Sequence, residues 1–160
     1  MVNAYIGLGS NLDNPQGHVR QALEELKKLP QSQLLSASKL YLSKPVGPQD
    51  QDDFINAVVI LATTLEPLAL LDELQAIEHQ HQRVRARHWG PRTLDLDLLL
   101  FGNQSIQHPR LTVPHAELSQ RDFVIGPLLE LCPDLALPNG TMIQELLKKC
   151  PIDGLICLDH

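Results

Sequence analysis

The chain has 160 residues, 43% of them hydrophobic and 20% charged, enough for one domain whose core needs no disulfide or metal staple. A formal net charge of −6 argues against the broad basic surface that nucleic-acid-binding domains carry. The three cysteines, Cys132, Cys150 and Cys157, are odd in number and form no CxxC pair, which argues against a disulfide framework or a cysteine zinc site and for free thiols in a reducing compartment.

The opening "MVNAYIGLGSN" contains a short β-prone run that ends in Gly and Ser. It has no basic n-region and no apolar run of signal-peptide length, and nothing later approaches the roughly 20 apolar residues of a membrane span. A cytoplasmic protein with no membrane or nucleic-acid partner is expected, as a monomer and as a single domain over residues 1–160. From Gly17 to Leu29, Val19, Ala22, Leu23, Leu26 and Leu29 recur at helical spacing with charges opposite, and Pro30 ends the helix. Gln33–Ser43 mixes apolar and small polar residues, as a strand with one wet face does. "KPVGPQDQDD" is a loop by its prolines, glycine and acids. "FINAVVILATT" is β-branched and apolar, the composition of a central strand. Pro67 suits the first turn of a helix whose stripe is Leu70, Leu71, Leu74 and Ile77.

"TLDLDLLLF" reads as a further strand. After it come the proline-punctuated "IQHPRLTVPHAEL", the apolar "FVIGPLLELCPDL" and a final helix "MIQELLKK". The order strand–helix–strand–strand–helix–strand plus an extension predicts an α+β, ferredoxin-like split βαβ fold (βαββαβ), with helices on one face of an antiparallel sheet. The same alternation also fits a small parallel α/β fold.

The chemistry concentrates in "RVRARHWGPRTLDLDLLLF", Arg83 to Phe101. Side chains at i and i+2 of a strand share a face, so Asp95 and Asp97 point together, about 6–7 Å apart, while Leu94, Leu96 and Leu98 point to the core. Two carboxylates inside a strand are costly unless they are paired or solvated, or hold a hard cation. Mg²⁺ suits them, with substrate phosphates completing its shell. Arg83, Arg85 and Arg92 offer planar forks for phosphate oxygens, and Trp89 among them suits a cation or a flat ring. Arg110 and His115 add two more donors downstream. The plainer alternatives are two surface aspartates and a solvated basic loop.

No GxxxxGK[ST] is present, which excludes a P-loop enzyme, and "GLGSN" matches only part of a dinucleotide fingerprint. His79, His81 and His88 lie near one another without a cysteine or carboxylate set at ligand spacing, so zinc is not favoured. Two other classes of function remain: a different two-metal phosphotransferase or nuclease, and a non-catalytic ferredoxin-like module that binds an anion.

"KPVGPQDQDDFINAVV", "RHWGPRTLDLDLLLFG" and "RLTVPH" together resemble the hydroxymethyldihydropterin pyrophosphokinase family of folate biosynthesis, and the resemblance runs from "YIGLGSNL" through "FVIGPLLELCPDL". It implies the ferredoxin-like fold and the transfer of pyrophosphate from ATP to the hydroxymethyl group of 6-hydroxymethyl-7,8-dihydropterin, with release of AMP. By the same resemblance Asp95 and Asp97 ligate two Mg²⁺ ions, Arg83 and Arg92 hold the triphosphate, and Arg85 belongs to a catalytic loop. The ATP site would further include Gln75, Glu78, Trp89 and Leu98, and then Arg110, Thr112, His115 and Arg121. The pterin site would be built from Ser43, Lys44, Val46 and Phe54, with Asn56, Trp89, Asp95 and Phe123. Phe54 and Phe123 would sandwich the flat ring, and Asn56 would offer it a donor and an acceptor. Ser43 stands where the family usually has threonine, and Ala116 where some members have an aromatic. The loops Lys44–Asp53 and Gln82–Gly90 flank the site and are expected to close over the ligands.

Overall fold

The computed structural model describes residues 1–11, 14–44, 53–81, 93–151 and 154–158. Strand β1 (Val2–Ser10) carries the first apolar run and leads into helix α1 (Pro15–Leu26). The helix starts where the sequence permits it. Asn14 takes a left-handed conformation (φ 65°) and accepts the Gly17 amide on its side chain, and Pro15 fills the first turn. Leu29 is buried beyond the end of the helix rather than within it.

The single strand expected over Gln33–Ser43 is two, β2 (Ser32–Ala37) and β3 (Leu40–Ser43). Ser38 makes the break, and the break stays stitched to the sheet. Its amide donates to the Val58 carbonyl (2.8 Å), and its hydroxyl accepts the Val58 amide (2.9 Å). A serine able to take a backbone position in the ladder ends one strand and starts another without orphaning its neighbour.

The central strand is β4 (Phe54–Thr63), buried along nine of its ten residues. Helix α2 (Pro67–His81) begins at the expected proline and buries Leu70, Leu71, Leu74 and Ile77. Strand β5 (Asp95–Phe101) follows. Within "IQHPRLTV" lies a hairpin, β6 (Ile106–His108) and β7 (Leu111–Val113), turning at Pro109–Arg110. Helix α3 (Asp122–Leu131) carries Pro127 inside it. The expected final helix is present as a 3-10 helix, Ile143–Lys148, and the tail adds strand β8 (Ile156–Leu158).

The main sheet runs β5-β1-β4-β3-β8, with β2 also on β4, and every pair is antiparallel. That is the split βαβ order, and it removes the parallel alternative. Helices do not cover only one face, however. Ala4, Ile6, Leu8, Ala57, Val59, Leu61, Leu96 and Leu98 pack with α1 and α2 in one core. On the opposite face Tyr5, Val58, Ile60 and Leu100 pack with Val124, Ile125 and Leu128 of α3 and with Ile143 and Leu146. Strands whose residues are apolar on both sides need cover on both sides, and the C-terminal extension supplies the second layer.

Candidate active site

Strand register gathers the site. Gly9 pairs with Asn56 on one side and with Asp95 on the other, and Gly7 likewise joins Val58 to Asp97. Tyr41 lies opposite Asn56, and Ser43 opposite Phe54. Directly paired residues share a face, as do i and i+2 along a strand. Asp95, Asp97, Asn56, Phe54, Tyr41 and Ser43 therefore occupy one face, the one that α3 covers further along. On β4 that face changes from Ile60 and Val58, packed in the second core, to the buried amide of Asn56 and the half-buried Phe54. The second apolar core ends there on β4, and the polar row begins.

Leu94, Leu96 and Leu98 fall in the opposite core, as the alternation predicts. Ser10, itself fully buried, donates its hydroxyl to the Thr93 carbonyl and fixes the entry to β5.

On the pterin side of the family expectation, Asn56 and Ser43 are 3% and 5% exposed. Asn56 Nδ2 donates to Ser43 Oγ (2.6 Å) and, more distantly, to the Phe54 carbonyl (3.4 Å). Asn56 Oδ1 leans over Gly9: a Cβ built there would lie 3.3 Å from it. The amide is thus fixed by its donors, and its acceptor overhangs a position with no side chain. Phe54 borders the same gap, its Cδ1 3.8 Å from that Cβ position. Lys44 is exposed just outside β3.

On the nucleotide side, β5 is an edge strand. The Leu96 amide donates to Glu78 Oε2 (2.8 Å) and so points away from β1. By alternation the backbone of Leu98 faces the same way. A cavity of about 300 Å³ opens beside it, lined by Asp97, Leu98, Arg110, Thr112 and His115, together with Leu71, Leu96, Leu111, Ala116 and Glu117. The His115 amide donates to the Leu99 carbonyl (2.9 Å) and ties the exit of the hairpin to β5. Arg110 is braced from α2, with Nη2 2.6 Å from Asp72 Oδ1 and 3.2 Å from Gln75 Oε1.

Arg121 joins the two halves. Its guanidinium bonds Glu117, lies 3.6 Å from Asp97 Oδ2, and sits 5.5 Å from the centroid of the Phe123 ring. Glu117 had no signal in the sequence. Gly7 and Gly9 did: glycines at i and i+2 of a strand clear one face, although "GLGSN" drew attention only as a partial dinucleotide motif.

Two half-exposed carboxylates on one face form a hard-oxygen donor set, which fits Mg²⁺. Among the described residues no group of three or more His, Cys, Asp or Glu side chains could hold a metal ion, so any cation here takes further ligands from substrate or water. His79 is exposed, and His81 is buried between His18 and Glu25. Arg83, Arg85, Arg87, His88, Trp89, Arg92 and Val46 lie outside the described residues, as do most of both expected closing loops.

A family model described as 7,8-dihydro-6-hydroxymethylpterin-pyrophosphokinase (HPPK) matches residues 5–133. The chain is 53% identical over 149 residues to a 2-amino-4-hydroxy-6-hydroxymethyldihydropteridine pyrophosphokinase of Haemophilus influenzae, covering 93% of each. It is 52% identical over 151 residues to the protein of the same name from Pseudomonas aeruginosa, covering 94% of this chain and 93% of that one. Among solved structures, wild-type Plasmodium falciparum HPPK-DHPS with SDX-DHP superimposes over 93% of the chain with a TM-score of 0.68 at 15% identity. An HPPK-DHPS in complex with substrates gives 0.71 at 14% identity. The chain spans 43% and 45% of those two longer chains, and the likeness to them is one of fold. By the family match and the extent of identity with its curated relatives, the chain belongs to the 7,8-dihydro-6-hydroxymethylpterin-pyrophosphokinase family.

Proposed function

We propose a division of labour for the family reaction across the two sides of β5. The chain is a diphosphotransferase of folate biosynthesis: it moves the pyrophosphoryl group of ATP to the hydroxymethyl group of 6-hydroxymethyl-7,8-dihydropterin and releases AMP. The hydroxymethyl oxygen forms a bond to the β-phosphorus, and the bond from that phosphorus to the α,β-bridging oxygen breaks.

The cavity at the edge of β5 takes the nucleotide. The Leu98 backbone, on the side of β5 away from β1, would meet a purine, and Arg110, Thr112, His115 and Arg121 line the way to the phosphates, with Gln75 and Glu78 bracing from α2. The Asn56–Gly9–Asp95 row takes the pterin, with Ser43 and Asn56 meeting its polar edge and Phe54 and Phe123 flanking its ring. Asp95 and Asp97 would hold two Mg²⁺ ions, which when bound neutralise charge on the phosphates. Between the two sides these residues orient the acceptor oxygen toward the phosphate chain, and positioning of that kind is most of what phosphoryl transfer asks of a protein. Arg83, Arg85, Arg92 and Trp89 complete the reading from the sequence resemblance alone, together with Lys44 and Val46 at the mouth of the pterin side.

We also read the chain as one domain over 1–160 acting as a cytoplasmic monomer. Among the described residues no helix is long and apolar enough to cross a membrane.

The observation that carries the site assignment is the register, because it brings both aspartates and Asn56 to one face beside a cavity of about 300 Å³. Incubation with Mg-ATP and the hydroxymethyldihydropterin is expected to yield AMP only when the pterin is present. Cleavage of ATP without pterin, or no reaction, would favour another phosphotransferase or a binding module. Asp97→Asn keeps the shape and removes the charge; it is expected to cost at least about a hundredfold in kcat with an unchanged unfolding midpoint. Near-normal turnover in that variant sinks the metal role.

A further inference from the structure

Strand β3 carries Ser43, the acceptor that fixes Asn56, yet β3 is only four residues long and pairs with β4 at three positions. Something else has to hold it. Glu130, near the end of α3, supplies two such contacts. Both of its carboxylate oxygens accept the Lys39 amide at 3.2 Å, just before β3 begins, and Oε1 accepts the phenol of Tyr41 within the strand. Tyr41 stands opposite Asn56, in the same row as Gly9 and Asp95. On the outer side β8 pairs with β3, Cys157 opposite Tyr41 and Ile156 opposite Leu42. The strand is therefore gripped from above by α3 and in the plane of the sheet by the C-terminal tail.

We propose that Glu130 is a positioning residue for the pterin half of the site: through Lys39 and Tyr41 it sets the place of β3, and so of the Ser43 hydroxyl that orients Asn56. This rests on the assignment of Asn56 and Ser43 to the pterin. Burial, and then the bond to the Glu130 carboxylate, raise the Tyr41 pKa above the usual tyrosine value, so the phenol keeps its proton and remains a donor. A hydrogen bond to an ionised acceptor is among the stronger ones. Glu130 is nonetheless remote from the nucleotide cavity, whose lining is drawn from α2, β5 and the β6–β7 region through Glu117. The grip should therefore act on one substrate and not on the other.

The test uses the full-length chain in four forms: wild type, Glu130→Ala, Glu130→Gln and Tyr41→Phe. Steady-state AMP formation gives KM for the pterin and for ATP, calorimetry gives the Kd of Mg²⁺ with α,β-methylene-ATP, and a urea titration gives stability. Glu130→Ala and Tyr41→Phe are each expected to raise the pterin KM roughly three- to tenfold, the scale of one lost charge-assisted bond transmitted through a strand, with the nucleotide Kd unchanged within about twofold. Glu130→Gln keeps an acceptor oxygen and is expected to restore most of the pterin KM. An unchanged pterin KM in Tyr41→Phe overturns the proposal, as does a parallel loss for both substrates that tracks the loss of stability. Should Glu130→Ala fail to fold, Tyr41→Phe still decides, because the phenylalanine ring keeps the packing and removes only the donor. Wild-type protein that makes no AMP from pterin would instead sink the functional reading itself, before any variant is compared.

Discussion

Gly9 lies between Asn56 and Asp95, where the absence of a side chain makes the gap in the row. Its neighbours set the consequence of filling that gap. A methyl group there would sit 3.3 Å from Asn56 Oδ1 and 3.8 Å from Phe54 Cδ1, so the amide must shift by a few tenths of an ångström while the ring stays in ordinary contact. Overpacking of this kind costs about 1–3 kcal/mol at a rigid site. Gly9→Ala is therefore expected to fold and to raise the pterin KM by roughly an order of magnitude while leaving nucleotide affinity near normal. Titration with α,β-methylene-ATP and a pterin saturation curve check both halves. A fall in nucleotide affinity with the pterin KM intact would show that the row has been assigned to the wrong substrate. At this scale the two aspartates were legible because a period of two is unambiguous inside a run of leucines. Gly9 showed only as one of two glycines at i and i+2, and what its missing side chain does is set by the strands on either side. Glu117 was illegible for a similar reason, its partner Arg121 being four residues on in a segment with no periodic signal.

Among the elements, α1 and α2 could be read because each is long and its apolar positions keep a helical period, β4 because it is a long β-branched apolar run, and β5 because its aspartates alternate with leucines. The breaks depended on bonds that only the fold supplies. Ser38 divides β2 from β3 by bonding Val58 with both its backbone and its side chain. The hairpin in "IQHPRLTV" has strands of three residues, too short to show alternation. His79, His81 and His88 are not favoured as a zinc set, and His81 joins two helices instead. His81 is 6% exposed; its Nδ1 lies 2.7 Å from His18 Nδ1, and its Nε2 lies 2.5 Å from Glu25 Oε1. Both ring nitrogens of His81 are thus engaged, one by each partner on α1. Loss of His18 takes from the buried His81 its Nδ1 contact, and loss of His81 takes from His18 and Glu25 the contacts they make to it. His81→Leu is expected to destabilise the protein by about 1–3 kcal/mol in urea unfolding. His18→Leu and the double variant then complete a cycle whose coupling should exceed about 0.5 kcal/mol. Strict additivity would mean that the two rings are neighbours without a shared bond.

Over the whole molecule, one sheet separates two cores, and the site lies where the second core ends. The βαββαβ order was legible because its helices are amphipathic against the first core. The second layer was not, because "FVIGPLLEL" is apolar all round and holds a proline, so it has no helical period to read. The tail strand β8 likewise acquires its role only beside β3. The separation implies that damage to the two cores should be felt differently at the site. Leu26 of α1 and Leu128 of α3 are both fully buried, one in each core. Either change to alanine is expected to cost about 2–5 kcal/mol through transfer and cavity terms. Residues 121–123, however, open α3 with Arg121 and Phe123, and Glu130 closes it on β3. A cavity at Leu128 loosens the helix that carries both ends of this wall, whereas a cavity at Leu26 lies under a helix with no residue in the proposed site. Measured well below both unfolding midpoints, Leu128→Ala should raise the pterin KM several-fold and Leu26→Ala should leave it unchanged, at comparable losses of stability. Equal effects on KM would mean that the sheet transmits strain from either face alike and that α3 has no special hold on the pterin side.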